Sequence, residues 1–107
     1  MPTNEELYDA AINLKDEGKL DESAAKLEEL LRQDANYALA HSALAVVLTR
    51  LRRHEEAISH AQRVCQLEPN DPFSFTALSV TLQRAGKIPE AEDAMARART
   101  LQGGHHH

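Results

Sequence analysis

At 107 residues the chain fits one domain and is too short for a two-lobed enzyme or a large barrel. Apolar residues make up 42%, with 17 Ala and 14 Leu against 7 Val plus Ile and 4 aromatics, a mix that favours helix over strand. Acids outnumber bases 17 to 12, and a net charge of -5 argues against nucleic acid or an anionic membrane as partner.

Apolar residues recur at spacings of three and four in six bursts, each the length of a helix. The first, near 4–17, opens with Thr3-Asn4-Glu5-Glu6, which has the form of a capping box, and Gly18 stands where a left-handed residue ends a helix. The second lies near 21–33 and the third near 38–51. Arg52 then occupies the place held elsewhere by glycine, where a left-handed backbone costs on the order of 1 kcal/mol. The turn after Leu51 is therefore expected to be the least ideal. The fourth helix is expected near 55–67. The fifth, near 72–85, has Asp71 as its cap, Pro72 as its first residue and Gly86 at its end; the sixth, near 89–102, opens on Pro89. The three terminal histidines, 105–107, read as the remnant of a purification tag and are set outside the fold.

Sliding the chain by 34 residues superimposes like on like. Leu14, Leu48 and Leu82 coincide, as do Ile12, Val46 and Val80; Ala11, Ala45 and Ser79; Ser23, Ala57 and Ala91; and Lys19, Arg53 and Lys87. Three copies of a helical hairpin, 4–37, 38–71 and 72–104, fill a single domain of residues 1–104. The residues at the repeat's signature places are Leu7, Ala10-Ala11, Leu14, Ser23, Leu27 and Ala35; then His41, Leu44-Ala45, Leu48, Ala57, Ala61 and Pro69; then Phe75, Leu78-Ser79, Leu82, Ala91, Met95 and Gly103. In size and order this resembles three tandem tetratricopeptide repeats. The second copy departs from the pattern, with Ala61 at a place that normally carries an aromatic, so a small void or closer packing is expected there.

The resemblance implies an all-α fold, an α-solenoid of three antiparallel hairpins in a right-handed superhelix, whose first helices line a concave wall. The groove-facing places fall on Tyr8, Ile12, Leu39, Val46, Arg50, Phe73, Val80 and Arg84, among others. An apolar stripe on such a wall awaits a partner, and a peptide or helix of another protein is the expected ligand. Charge runs along the copies as -6, 0 and +1, so the Arg50 and Arg84 end is expected to favour an acidic segment. The family's chaperone-tail clamp would need Lys, Asn and Arg where this chain has Tyr8, Ile12, Ala43, Phe73 and Ala77, so that mode is not expected. A competing reading is self-assembly through the last hairpin, whose second helix offers Ala91, Ala94, Met95, Ala98 and Leu101 with no further helix to cover them.

Nothing in the chain assembles a catalytic constellation, a phosphate-cradling glycine loop or a metal set, so no enzyme activity and no cofactor are expected. His41 fills an aromatic slot and reads as packing, while His54 and His60 read as surface residues. The lone Cys65 reads as a small buried apolar residue. An N-terminus without a cationic and apolar leader points to the cytoplasm.

Overall fold

A computed structural model describes residues 1–103; Gly104 and the histidines of the expected tag lie outside the described residues. Six helices follow one another: α1 (Asn4–Asp16), α2 (Leu20–Gln33), α3 (Ala38–Arg50), α4 (His54–Leu67), α5 (Pro72–Arg84) and α6 (Ile88–Gly103). They pair as three hairpins, α1 with α2, α3 with α4 and α5 with α6, stacked along a body measuring 50 × 27 × 20 Å. This is an α-solenoid of three helical hairpins.

Local chemistry sets the helix ends. Thr3 accepts the Glu6 N–H at 3.1 Å while its own N–H reaches Glu6 Oε1 at 2.8 Å, closing the capping box. The Thr3 N–H, then the Thr3 hydroxyl beside the carboxylate, hold the Glu6 carboxyl below its usual range. Each first helix stops in the same way. The residue after the cap donates to a carbonyl three back, and the next donates to one five back: Gly18 to Lys15 and Lys19 to Leu14, Arg52 to Thr49 and Arg53 to Leu48, Gly86 to Gln83 and Lys87 to Leu82. That closure requires a left-handed residue. Gly18 and Gly86 supply it at φ 81° and Arg52 at φ 63°, so the strain expected after Leu51 is present. Asp71 caps α5 by accepting the Phe73 N–H at 3.0 Å, with Pro72 first in the helix. Pro89 is the second residue of α6 instead of its first, because Ile88 already has helical geometry.

The core is continuous at one end and thinner at the other. Leu7, Leu27, Leu30, Leu44, Val47 and Leu48, all essentially inaccessible, knit α1 to α4. The last hairpin closes over a smaller cluster of Ile58, Leu82, Ala91 and Ala94. Where the helices of a hairpin cross most closely, a serine ties them together. Ser23 of α2 donates to the Ala11 carbonyl of α1 at 2.7 Å, and Ser79 of α5 donates to the Ala91 carbonyl of α6 at 2.7 Å. These are the same two repeat places with donor and acceptor exchanged. Hairpin two has alanine at both, Ala45 and Ala57.

Contacts between hairpins give the stack its curvature. Besides chain neighbours, the backbone of α3 comes close to those of both α1 and α5, whereas among the described residues the backbones of α2, α4 and α6 stay farther from one another. The first helices are therefore crowded onto the inner side and the second helices are splayed on the outer side. Among the described residues no helix is long and apolar enough to cross a membrane.

Candidate functional site

Besides Met1 and Ile88, the large apolar side chains that stay in water belong to two first helices. Phe73 is 73% exposed, Leu39 56%, Val46 46% and Val80 42%, and all four belong to α3 or α5. Burying what remains exposed of each would yield roughly 0.6–2 kcal/mol, so the exposure of Val46, Phe73 and Val80 together calls for an explanation.

Between α3 and α5 lies a cavity of about 360 Å³, walled by Val46, Phe73, Ala77 and Val80. Its floor comes from the second hairpin's outer helix, through Ala61 and Val64. Ala61 holds the place occupied by Leu27 and Met95 in the other copies. A small side chain there adds no bulk to the floor of this groove. Glu68 and Asp71 stand at the mouth.

The concavity continues along α3 and α5 toward their C-terminal ends. A second pocket of about 190 Å³ shares Val46, Val80 and Thr81 with the first and adds Thr49, Arg50 and Arg84. A third, of about 230 Å³, is formed by Thr49, Arg50, Arg52, His54 and Arg84. The lane thus runs from an acidic mouth over an apolar floor to a cluster of arginines. None of Arg50, Arg52 and Arg84 has a carboxylate within 4.0 Å among the described residues, whereas neighbouring Arg53 is held by Glu56 at 2.6 Å. That pairing keeps Arg53 out of the lane's chemistry. It also depresses the Glu56 carboxyl.

Of the residues expected in the groove, Val46, Arg50, Phe73, Val80 and Arg84 come together around this lane. Tyr8, Ile12 and Leu39 do not line it. Tyr8 and Ile12 lean half-buried on the first core cluster, Tyr8 with its ring 6.3 Å from that of Tyr37. Burial, then the neighbouring Tyr37 and Asp9, push the Tyr8 phenol up. Leu39 is exposed on the first turn of α3. Residues outside the sequence reading also line the lane: Ala61 and Val64 as floor, Glu68 at the mouth, Arg52 and His54 at the basic end. The register of Arg52 with two turn glycines was the available signal for the last pair.

Two histidines read separately from the sequence meet in the second hairpin. His41, buried as expected, has Nδ1 2.9 Å from Nδ1 of His60 and Nε2 2.8 Å from the Ala35 carbonyl. A carbonyl only accepts, so Nε2 of His41 carries a proton; in the neutral ring its Nδ1 then accepts and His60 donates through Nδ1. His60 is therefore a half-buried partner in α3–α4 packing, not the surface residue expected. Burial, then the proximity of His41, lowers its pKa, with Glu56 opposing. Cys65 is buried and donates to the Ser74 carbonyl at 3.4 Å; burial raises its thiol pKa, so it does not present a thiolate. Among the described residues no group of three or more His, Cys, Asp or Glu converges on a metal position.

A larger cavity of about 490 Å³ opens on the outer side between α4, α5 and α6. Its rim mixes Glu55, Lys87, Glu90, Asp93 and Arg97, with Lys87 paired to Glu55 at 3.5 Å. Arg97 lies over the Phe75 ring at 5.7 Å and so covers that part of the apolar floor.

The tetratricopeptide repeat family profile matches residues 8–72, more than half of the chain. The chain belongs to the tetratricopeptide repeat family. Its six helices are three such repeats, with the inner wall made by the first helix of each. No curated protein sequence matches it. Among solved structures, this repeat chain resembles MamA AMB-1 at TM-score 0.83 and 21% identity, over 94% of its own length and 60% of the MamA chain. It resembles the Yersinia enterocolitica type III secretion translocator chaperone SycD at TM-score 0.83 and 19% identity, covering 96% and 78% of the two chains. The second TPR of Spaghetti (RPAP3), bound to the HSP90 peptide SRMEEVD, superimposes at TM-score 0.82 and 18% identity, over 92% of each chain. At these identities the likeness is one of fold. The chain spans about 60% of the length of the MamA chains it matches.

Proposed function

We propose that this repeat protein is an interaction module that holds a peptide or helix of another protein against its inner wall. One observation carries the reading: Val46, Phe73 and Val80, exposed together, surround an apolar concavity whose floor is formed by Ala61 and Val64. Aromatic and aliphatic side chains in this setting gain from burial only when another chain arrives. The RPAP3 domain with its bound HSP90 peptide, similar in fold, supports the general mode. The five clamp places of the family's chaperone-tail subclass hold Tyr8, Ile12, Ala43, Phe73 and Ala77 here, which favours a different ligand. We read the module as non-catalytic and cytoplasmic, with protein partners in preference to nucleic acid or membrane.

The test is capture of partners by wild type and by Phe73→Ala and Tyr8→Ala variants, with folding checked by circular dichroism. Loss of the same partner on Phe73→Ala supports groove binding; an unchanged set counts against it. Because Tyr8 packs on Tyr37 and lies off the lane, its substitution is expected to cost less binding than that of Phe73.

Self-assembly is the second reading, supported by the -6 and +1 charges of the end repeats. The α6 residues expected to be uncovered favour it less: Ala91, Ala94 and Ala98 are buried within this chain, and Glu92, Asp93, Arg97 and Arg99 are exposed instead. Sedimentation over a concentration series decides it, and a monomer at high concentration removes it.

A further inference from the structure

The lane's charges are segregated, and that segregation specifies a ligand more narrowly than an apolar groove does. At one end Glu68 and Asp71 flank the apolar cavity, and the Asp71 carboxylate is already committed to the Phe73 N–H. At the other, Arg50, Arg52 and Arg84 converge with Thr49 and His54, and no acid is among the residues lining that pocket. Two of these arginines come from equivalent places in successive repeats and the third from the turn between α3 and α4. Three cations on one pocket repel one another unless an anion sits between them. Among the described residues the chain supplies none within 4.0 Å. Arg52 holds its place with φ 63° where both equivalent turns use glycine, so the pocket keeps a cation at the cost of backbone strain.

Resting on the groove reading above, we infer that the partner segment carries a carboxylate that seats among Arg50, Arg52 and Arg84, while an apolar side chain of the same segment fills the cavity between Val46, Phe73 and Val80. The spacing follows from geometry. Along the helices the walls of the cavity stand from four residues (Val46 to Arg50, Val80 to Arg84) to eleven residues (Phe73 to Arg84) before the arginines, about 6–16 Å of helix axis with a middle of about 11 Å. An extended chain covers that middle distance in about three to four residues. The ligand is therefore an extended peptide with its apolar anchor about four residues from an acid, the end remote from the acid lying near Glu68. Guanidinium groups suit this role because they bind carboxylate oxygens in pairs and stay charged at every working pH. The carboxylate is that of an Asp or Glu side chain or of a chain terminus. The arginine pocket lies at the opposite end of α5 from Phe73 and about two turns beyond Ala77, two places of the chaperone-tail clamp.

The experiment uses an array of synthetic decapeptides with one leucine fixed, every other position varied through acidic, neutral and basic residues, and each sequence made with a free and an amidated C-terminus. The whole chain is applied as wild type, Phe73→Ala, Arg50→Gln/Arg84→Gln and Arg50→Lys/Arg84→Lys. The expected result is selection of peptides with an acid about four residues from the leucine. Their affinity, measured by fluorescence anisotropy, should fall about tenfold in the glutamine variant, from about two- to fivefold for each exposed arginine. Lysine should restore part of it, and added salt should weaken wild type more than the glutamine variant. Loss on amidation of peptides without an acidic side chain assigns the carboxylate to the terminus; indifference to amidation assigns it to Asp or Glu. Peptides lost with Phe73→Ala but showing no acid preference overturn this inference and leave the groove reading standing. Peptides retained by Phe73→Ala overturn both.

Discussion

Arg52→Gly is expected to make the protein more stable. Arg52 closes the α3–α4 turn at φ 63°, a conformation that costs an L-residue about 1–2 kcal/mol. Its side chain is exposed and has no carboxylate within 4.0 Å among the described residues, so little is lost with it. Glycine removes the strain but raises the entropy of the unfolded chain by about 0.5–1 kcal/mol. The difference is a net gain centred at about 0.7 kcal/mol within a span of about 0–1.5, or a rise in Tm of roughly 3–6 °C at the centre for a domain of this size. Gly18→Ala and Gly86→Ala run the comparison in reverse. A Cβ at either place meets nothing within 4 Å, so backbone strain alone decides, and each is expected to lose about the same amount. Urea denaturation followed by far-ultraviolet circular dichroism measures all three. A destabilised Arg52→Gly, or a neutral Gly86→Ala, would refute the claim that these turns require a left-handed residue. Since Arg52 also lines the arginine pocket, its glycine variant is expected to bind acidic peptides more weakly while melting higher.

Ser23→Ala and Ser79→Ala should each cost about 0.5–1.5 kcal/mol in the same assay, because each removes a buried hydroxyl that ties two helices but leaves the acceptor carbonyl in its helix. Ala61→Leu should raise the floor of the inner cavity, leave the circular dichroism spectrum unchanged and weaken capture of groove ligands; full retention of binding would show that ligands do not enter that cavity. Acid should destabilise the second hairpin. His60 has a folded pKa below its ordinary 6.5, so the unfolded chain takes up more protons and stability falls as pH drops through 6.5 toward the folded value. His60→Gln should flatten that part of the stability–pH curve, and an unchanged curve would remove His60 as its source.

Punctuation was the most readable layer of this sequence, because each signal is local. Thr3 with Glu6, Asp71 with Pro72, and glycine at 18 and 86 act through bonds within a few residues, and the helix ends fell within about a turn of the expected places. Arg52 was legible for another reason: a register of 34 laid it over two glycines. The histidine pair was not legible. His41 and His60 lie on different helices, and their contact depends on how α3 and α4 are rotated, which no spacing within one helix encodes. The groove was legible in part. Val46, Val80, Arg50 and Arg84 follow from helical position, whereas Tyr8 sits in a groove-facing place yet leans on Tyr37, a residue from the following inter-repeat loop. The arginine pocket drew Arg52 and His54 from a turn, and only the backward fold of that turn sets them beside Arg84 of the next repeat.

The central claim is that the inner wall grips another chain. Amide chemical-shift mapping of isotope-labelled protein, titrated with the best peptide from the array, tests it directly. Shifts concentrated at Val46, Thr49, Phe73, Ala77, Val80 and Arg84 are the predicted result. Shifts centred on Ile58, Gln62, Phe75 and Asp93 of the outer cavity, or on the exposed face of α6, would contradict it.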